Sequence, residues 1–232
     1  MAGKEIFSKA PLIEVIFEIR FLPNLSVACR RDDFYNEIKE SYPVVFFPNI
    51  TFDKHPFEQA TQYWNSEKNK LITCSAESLS ISTNKYIKFG AFKDECVKLI
   101  ATFHNKYPTV NNITRLGLRY TNRIPVERKD NKIDLAKYLK FNFSLPDPLS
   151  KNKLEVFQTS FFVELEKQTS GIRVSINGVN DKGKEFIILD FDLMSLKEIS
   201  FDETEKHLIS YHDKIEETFL GIISDGYKES IR

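Results

Sequence analysis

The chain has 232 residues, with 33 Lys plus Arg set against 33 Asp plus Glu and a hydrophobic fraction of 41%. That is enough apolar material for a full core, and it excludes a disordered or collagen-like chain. The charge balance excludes duplex binding driven by global charge, so any contact with phosphates would have to come from a local basic patch.

Taken in chain order, the first strong signal is Pro11-Leu-Ile-Glu-Val-Ile-Phe-Glu-Ile-Arg-Phe. Its odd positions Ile13, Val15, Phe17, Ile19 and Phe21 are all apolar, which predicts a strand with one face in the core. The other face carries Glu14, Glu18 and Arg20. Asp32 and Asp33 then open a short amphipathic helix with Phe34, Tyr35 and Ile38, ended by Pro43. Strands are expected over residues 44–52, 62–65, 71–75 and 79–83, with a turn at residues 67–69. Phe92, Cys96, Leu99, Phe103 and Tyr107 recur at intervals of three and four, predicting a helix packed on a sheet and stopped by Pro108.

Residues 115–124 read Arg-Leu-Gly-Leu-Arg-Tyr-Thr-Asn-Arg-Ile. A period of two sends Arg115, Gly117, Arg119, Thr121 and Arg123 to one face, and Leu116, Leu118, Tyr120 and Ile124 to the other. The three guanidiniums form a row that suits carboxylate, phosphate or planar bases, and the four-residue interval between Glu14 and Glu18 matches theirs. A segment over residues 126–131, a short helix over 134–139 and a proline-containing connection over 145–149 follow. A meander is then expected over residues 155–166, 171–177 and 185–193, punctuated by Thr-Ser-Gly and by Asn177-Gly178 through Lys182-Gly183. Ser200 and Glu203 have capping-box spacing ahead of Leu208, Tyr211, Ile215, Phe219 and Ile222. One closing helix from Ser200 to Tyr227 would be about 40 Å long.

Strand, short helix, three strands and longer helix occur twice, so the predicted fold is α+β: a curved, mostly antiparallel sheet with its helices on one side. Residues 1–232 are expected to form one domain, with pseudo-repeats 1–110 and 111–232, and both saddle-like and helix-grip folds satisfy the order of elements. Cys29, Cys74 and Cys96 lie far apart without a CxxC or a matching histidine pair, and read as reduced thiols. The opening Met-Ala-Gly-Lys-Glu lacks the apolar segment of a secretory signal, and no run approaches a membrane span. Cytoplasm is the expected location, with no membrane partner.

The opening strand, the helix ending in Tyr42-Pro43, Trp64 before a strand, residues 115–124, Leu189-Asp-Phe-Asp and the terminal His212-Asp-Lys-Ile-Glu-Glu-Thr-Phe together resemble a sporadically distributed prokaryotic family of unknown function. The resemblance covers nearly the whole chain and is most specific at the opening strand and the arginine strand. It implies a single domain and no assigned catalytic residues. Its patchy distribution implies association with mobile elements, toxin–antitoxin modules or phage defence.

Asp190 and Asp192 share one strand face, as do Glu164 and Glu166, so two acidic pairs could converge on a divalent cation beside the arginines and serve phosphoryl transfer. The competing reading is that these carboxylates pair with Arg115, Arg119, Arg123 and Arg173. A triphosphate-tunnel enzyme would bring a Glu-x-Glu-x-Lys strand, whereas Glu164-Leu-Glu-Lys puts Lys167 on the wrong face. His212 is a polar candidate near neutral pH, but adjacent helical residues do not face each other, so Asp213 is no simple orienting partner for it. Phosphate-loop, dinucleotide-turn, nucleophile-elbow and zinc-helix motifs are all missing, and no cofactor is expected. Three functions therefore stand side by side: a noncatalytic module binding an acidic protein surface or nucleic acid through Arg115, Arg119 and Arg123; a metal-dependent enzyme acting on phosphate esters or nucleotides; and a structural subunit whose arginines neutralise Glu14 and Glu18. The sequence leaves the oligomeric state open.

Overall fold

A computed structural model describes residues 10–48, 59–129, 132–140, 157–165, 169–181 and 184–232. The alternation in the opening segment does produce a strand, β1 (Leu12–Arg20), with Val15, Phe17 and Ile19 buried on one face. Two short helices follow, α1 (Leu25–Cys29) and α2 (Arg31–Ile38). Strands β2 (Val44–Phe46), β3 (Thr61–Trp64), β4 (Lys70–Cys74) and β5 (Ser78–Thr83) precede helix α3 (Phe89–Lys106). Next come β6 (Arg115–Val126), the two-residue strands β7 (Arg128–Lys129) and β8 (Lys132–Ile133), and a 3-10 turn at Leu135–Lys137. The meander is β9 (Phe157–Leu165), β10 (Ser170–Asp181) and β11 (Lys184–Ser195), and helices α4 (Thr204–Ile222) and α5 (Asp225–Ile231) close the chain.

Nine of these strands form one open antiparallel sheet in the order β2-β3-β4-β5-β1-β6-β11-β10-β9. Helices pack on one side, α3 against α4 and α4 against β6 and β11. The core lies between: Phe17, Leu118, Val174, Leu189 and Phe191 from the sheet meet Phe103, Leu208, Ile215 and Phe219 from the helices. The expected α+β architecture is thus the one the chain adopts.

Several boundaries differ from expectation. The strand begun at Val44 ends at Phe46, where Pro48 has no N–H to give to a ladder, and residues 49–58 lie outside the described residues. Asn177-Gly178 is not a turn. β10 runs straight through it, with Gly178 opposite Ile187 on one side and Phe157 on the other. The closing helix is broken. Ile223 adopts extended backbone and bridges Leu139, and Ser224 caps α5 by accepting from the Tyr227 N–H. The Ser200–Glu203 capping box is present, and the turn before β4 places Lys68 at φ 54 with Asn65 Oδ1 accepting from the Asn69 and Lys70 amides. The connection at 145–149 and the residue Glu166 lie outside the described residues.

Candidate interaction surface

The odd positions of β1 and the even positions of β6 are buried under the helices, and no helix among the described residues covers the other face of the sheet. Cross-strand register lays one row of side chains from edge to edge of it: Val44, Trp64, Leu71, Ser82, Ile16, Arg119, Asp192, Arg173 and Phe162. The arginine row predicted from the period of two therefore stands on this face. It is not a row of isolated cations.

Arg119 donates through Nε and Nη2 to the two oxygens of Asp190, both at 2.7 Å, a bidentate fork. Its side chain remains 47% exposed, against 17% for Asp190. Arg115 and Arg20 are directly opposite each other, a repulsive arrangement. Glu18 resolves it by accepting from Arg115 Nη1 at 2.7 Å and from Arg20 Nε at 2.8 Å through the same oxygen. Arg115 also reaches Asp192 at 3.3 Å, and its guanidinium lies over Gly117. Arg123 stacks on Phe186, with its guanidinium carbon 3.6 Å from the ring centroid. Thus Arg20, Arg115, Arg119 and Arg173 on this face are matched by Glu14, Glu18, Asp190 and Asp192, and the centre of the surface carries alternating rather than single-sign charge.

Asp192 is the perturbed group. Burial pushes its carboxyl above the ordinary aspartate range, against the opposing pull of Arg115 and Arg119. Glu164 is exposed near the end of β9, opposite Gly171. Among the described residues, Asp190, Asp192 and Glu164 form no set of three metal-ligating donors within 4.8 Å; His212, Asp213 and Glu216 on α4 do.

His212 itself sits on the helix side of the sheet, buried, with Nδ1 2.9 Å from the Tyr120 hydroxyl. That hydroxyl is 3.2 Å from the hydroxyl of Tyr86, and Phe89 stacks on the imidazole at 3.8 Å between centroids. What orients His212 is therefore a tyrosine of the arginine strand, reached from the opposite face of β6. The sequence held one signal for this: a Tyr at a buried-face position needs a hydroxyl partner in the core. Burial raises both phenols, Tyr86 to about 12.

A cleft of about 410 Å³ opens where α2 and α3 cross β4 and β5, with Ile38, Ile72 and Leu99 among its lining. Its polar centre is Glu95, which accepts from the Tyr42 hydroxyl and from Lys70 Nζ, each at 2.7 Å. No sequence motif marks this triad, since its members are 25 and 53 residues apart.

Compared with known proteins, the chain matches no family model and no curated protein. No helix among the described residues is long and apolar enough to cross a membrane.

Proposed function

We propose that the protein is a noncatalytic interaction module of the cytoplasm, whose uncovered sheet face docks a carboxylate-bearing protein surface through Arg115, Arg119 and Arg123. The observation that carries this reading is the half-exposed Arg119 guanidinium at the middle of an uncovered nine-stranded sheet. Asp190 occupies the Nε–Nη2 edge of that guanidinium, and the Nη1 end points away from this carboxylate. An incoming carboxylate can add at the Nη1 end while Asp190 keeps its fork, so that one guanidinium serves both.

Alternating charge favours a protein partner over nucleic acid. Binding to a phosphate backbone gains its strength from cations that release counterions, and here Arg115 and Arg119 already pair with carboxylates. The same pairing argues against a metal-dependent phosphoesterase built on Asp190 and Asp192, because a cation would have to displace guanidiniums from both.

The test pairs a native pull-down with the double variant Arg119→Gln/Asp190→Asn, which removes the fork without leaving either charge unpaired. We expect an unchanged thermal midpoint and partner binding weakened by at least about tenfold, or ~1.4 kcal/mol. Equal binding by wild type and variant would remove the face from consideration. Recovery of nucleic acid with a steep salt dependence would replace the protein partner with a nucleic-acid one. Saturable divalent-cation binding by calorimetry, abolished in Asp190→Asn/Asp192→Asn, would support the enzyme reading instead.

A further inference from the structure

The two edges of the sheet are unlike. β2 is three residues long and is followed closely by Pro48, so it offers little for another strand to pair with. β9 is nine residues long, roughly 30 Å, and pairs with β10 in unbroken register from Phe157 to Leu165. Edge strands in monomeric proteins are blunted by shortness, proline, lysine, a bulge or a covering element. β9 contains no proline and no lysine, shows no bulge against β10, and is exposed over residues 160–164. Moreover, Phe161 and Val163 project from one side and Phe162 from the other, each more than 40% exposed. Side chains on an edge strand gain cross-strand contacts when another strand pairs beside it, and among the described residues β9 pairs with β10 alone.

We propose that the other neighbour of β9 is a second copy of the same chain, paired antiparallel through β9 about a two-fold axis at Phe161. The sequence Phe-Gln-Thr-Ser-Phe-Phe-Val-Glu-Leu is complementary to itself in that register. Phe157 stands opposite Leu165, Thr159 opposite Val163 and Ser160 opposite Phe162. Glu164, the sole charge on the strand, faces Gln158, whose amide can donate to it. No like charges meet. Partners in an antiparallel pair project to the same side, so helices stay with helices and the two uncovered faces become continuous. The arrangement is isologous and closes as a dimer, and among the described strands it leaves the short β2 edges at its ends, so it does not grow into a filament. It stands independently of the docking function proposed for the sheet face.

The test is sedimentation velocity on the full chain over the micromolar range, for wild type and three variants. Wild type should sediment as two chains. Phe161→Lys sets two ammonium groups opposite each other on the axis and should sediment as one chain. Gln158→Glu opposes two carboxylates twice per dimer and should weaken association roughly tenfold, whereas Gln158→Lys should strengthen it. Gln158 is exposed, so this pair of opposite effects reads the register even if Phe161→Lys fails to fold. In wild type, β9 amides should be protected from hydrogen exchange, and that protection should fall on dilution. A wild-type chain that remains monomeric throughout, or a dimer indifferent to Phe161→Lys and both Gln158 variants, overturns the proposal.

Discussion

Asp192 lies between two guanidiniums and is nevertheless held above the ordinary aspartate range, because loss of water outweighs the attraction. The folded state therefore keeps the proton to higher pH than the unfolded chain does. Between the ordinary aspartate pKa and the folded value, the folded state binds more protons, so this group's contribution to stability falls as pH rises through that interval. Carbon-detected NMR titration should place the Asp192 midpoint above that of a surface aspartate. The stability difference between wild type and Asp192→Asn should also shrink in wild type's disfavour as pH climbs through the same interval; a difference constant with pH would show that the carboxyl titrates normally. Tyr120 makes a second test at this scale. Tyr120→Phe removes the hydroxyl shared by Tyr86 and His212 and leaves a buried imidazole nitrogen without that partner, a loss of about 1–3 kcal/mol measurable as a urea midpoint. The pairing of the arginines was half legible in the sequence. The interval of Glu14 and Glu18 pointed at the arginine strand, and Glu18 does bridge Arg115 and Arg20, but Asp190 and Asp192 pair with arginines 71 and 77 residues earlier in the chain, through a β6–β11 register that no local pattern encodes.

Elements whose whole stripe or face is buried could be read from periodicity. β1, β6 and α3 sit within a few residues of their expected places because each presents a continuous apolar set to one core. Elements fixed by a few long-range hydrogen bonds could not. α1 has five residues and one buried side chain, Val27, too few for a period to register. The break between α4 and α5 depends on Ser224 N–H donating to the Tyr138 carbonyl and Lys140 N–H donating to that of Ile222, contacts supplied by a segment over eighty residues earlier. Hydrophobic periodicity continues across the break through Ile223, Tyr227 and Ile231, which is why one long helix was the natural expectation. α4 should still contribute heavily to the core: Phe219 is 8% exposed and meets Phe191 edge to face at 6.2 Å. Phe219→Ala should cost about 3–5 kcal/mol by urea denaturation, whereas a change of only a few tenths would mean that this contact contributes nothing.

On the scale of the molecule, strand order is mirrored about the β1–β6 pair, β3-β4-β5-β1 on one side and β6-β11-β10-β9 on the other, with β2 added at the edge of the first. Each half opens with a central strand, pairs it with the last strand of its own meander, and then crosses to a helix, α3 or α4. Among the described residues the second half has a 3-10 turn, Leu135–Lys137, where the first has α1 and α2, and β2 has no counterpart in it. The halves nevertheless meet in the middle of the sheet, where Leu12–Arg20 pairs with Arg115 through Asn122, and again where α3 packs on α4. Separating them would strip one neighbour from both central strands and expose the facing sides of both helices, so neither half retains a closed core. Heat and urea should accordingly give one transition for the whole chain, with calorimetric and van't Hoff enthalpies in agreement. Residues 1–110 and 111–232 expressed separately should each be unfolded by circular dichroism. If either fragment melts cooperatively on its own, the β1–β6 seam joins two autonomous domains, and the continuity of the uncovered face becomes a matter of how those domains dock rather than a property of one sheet.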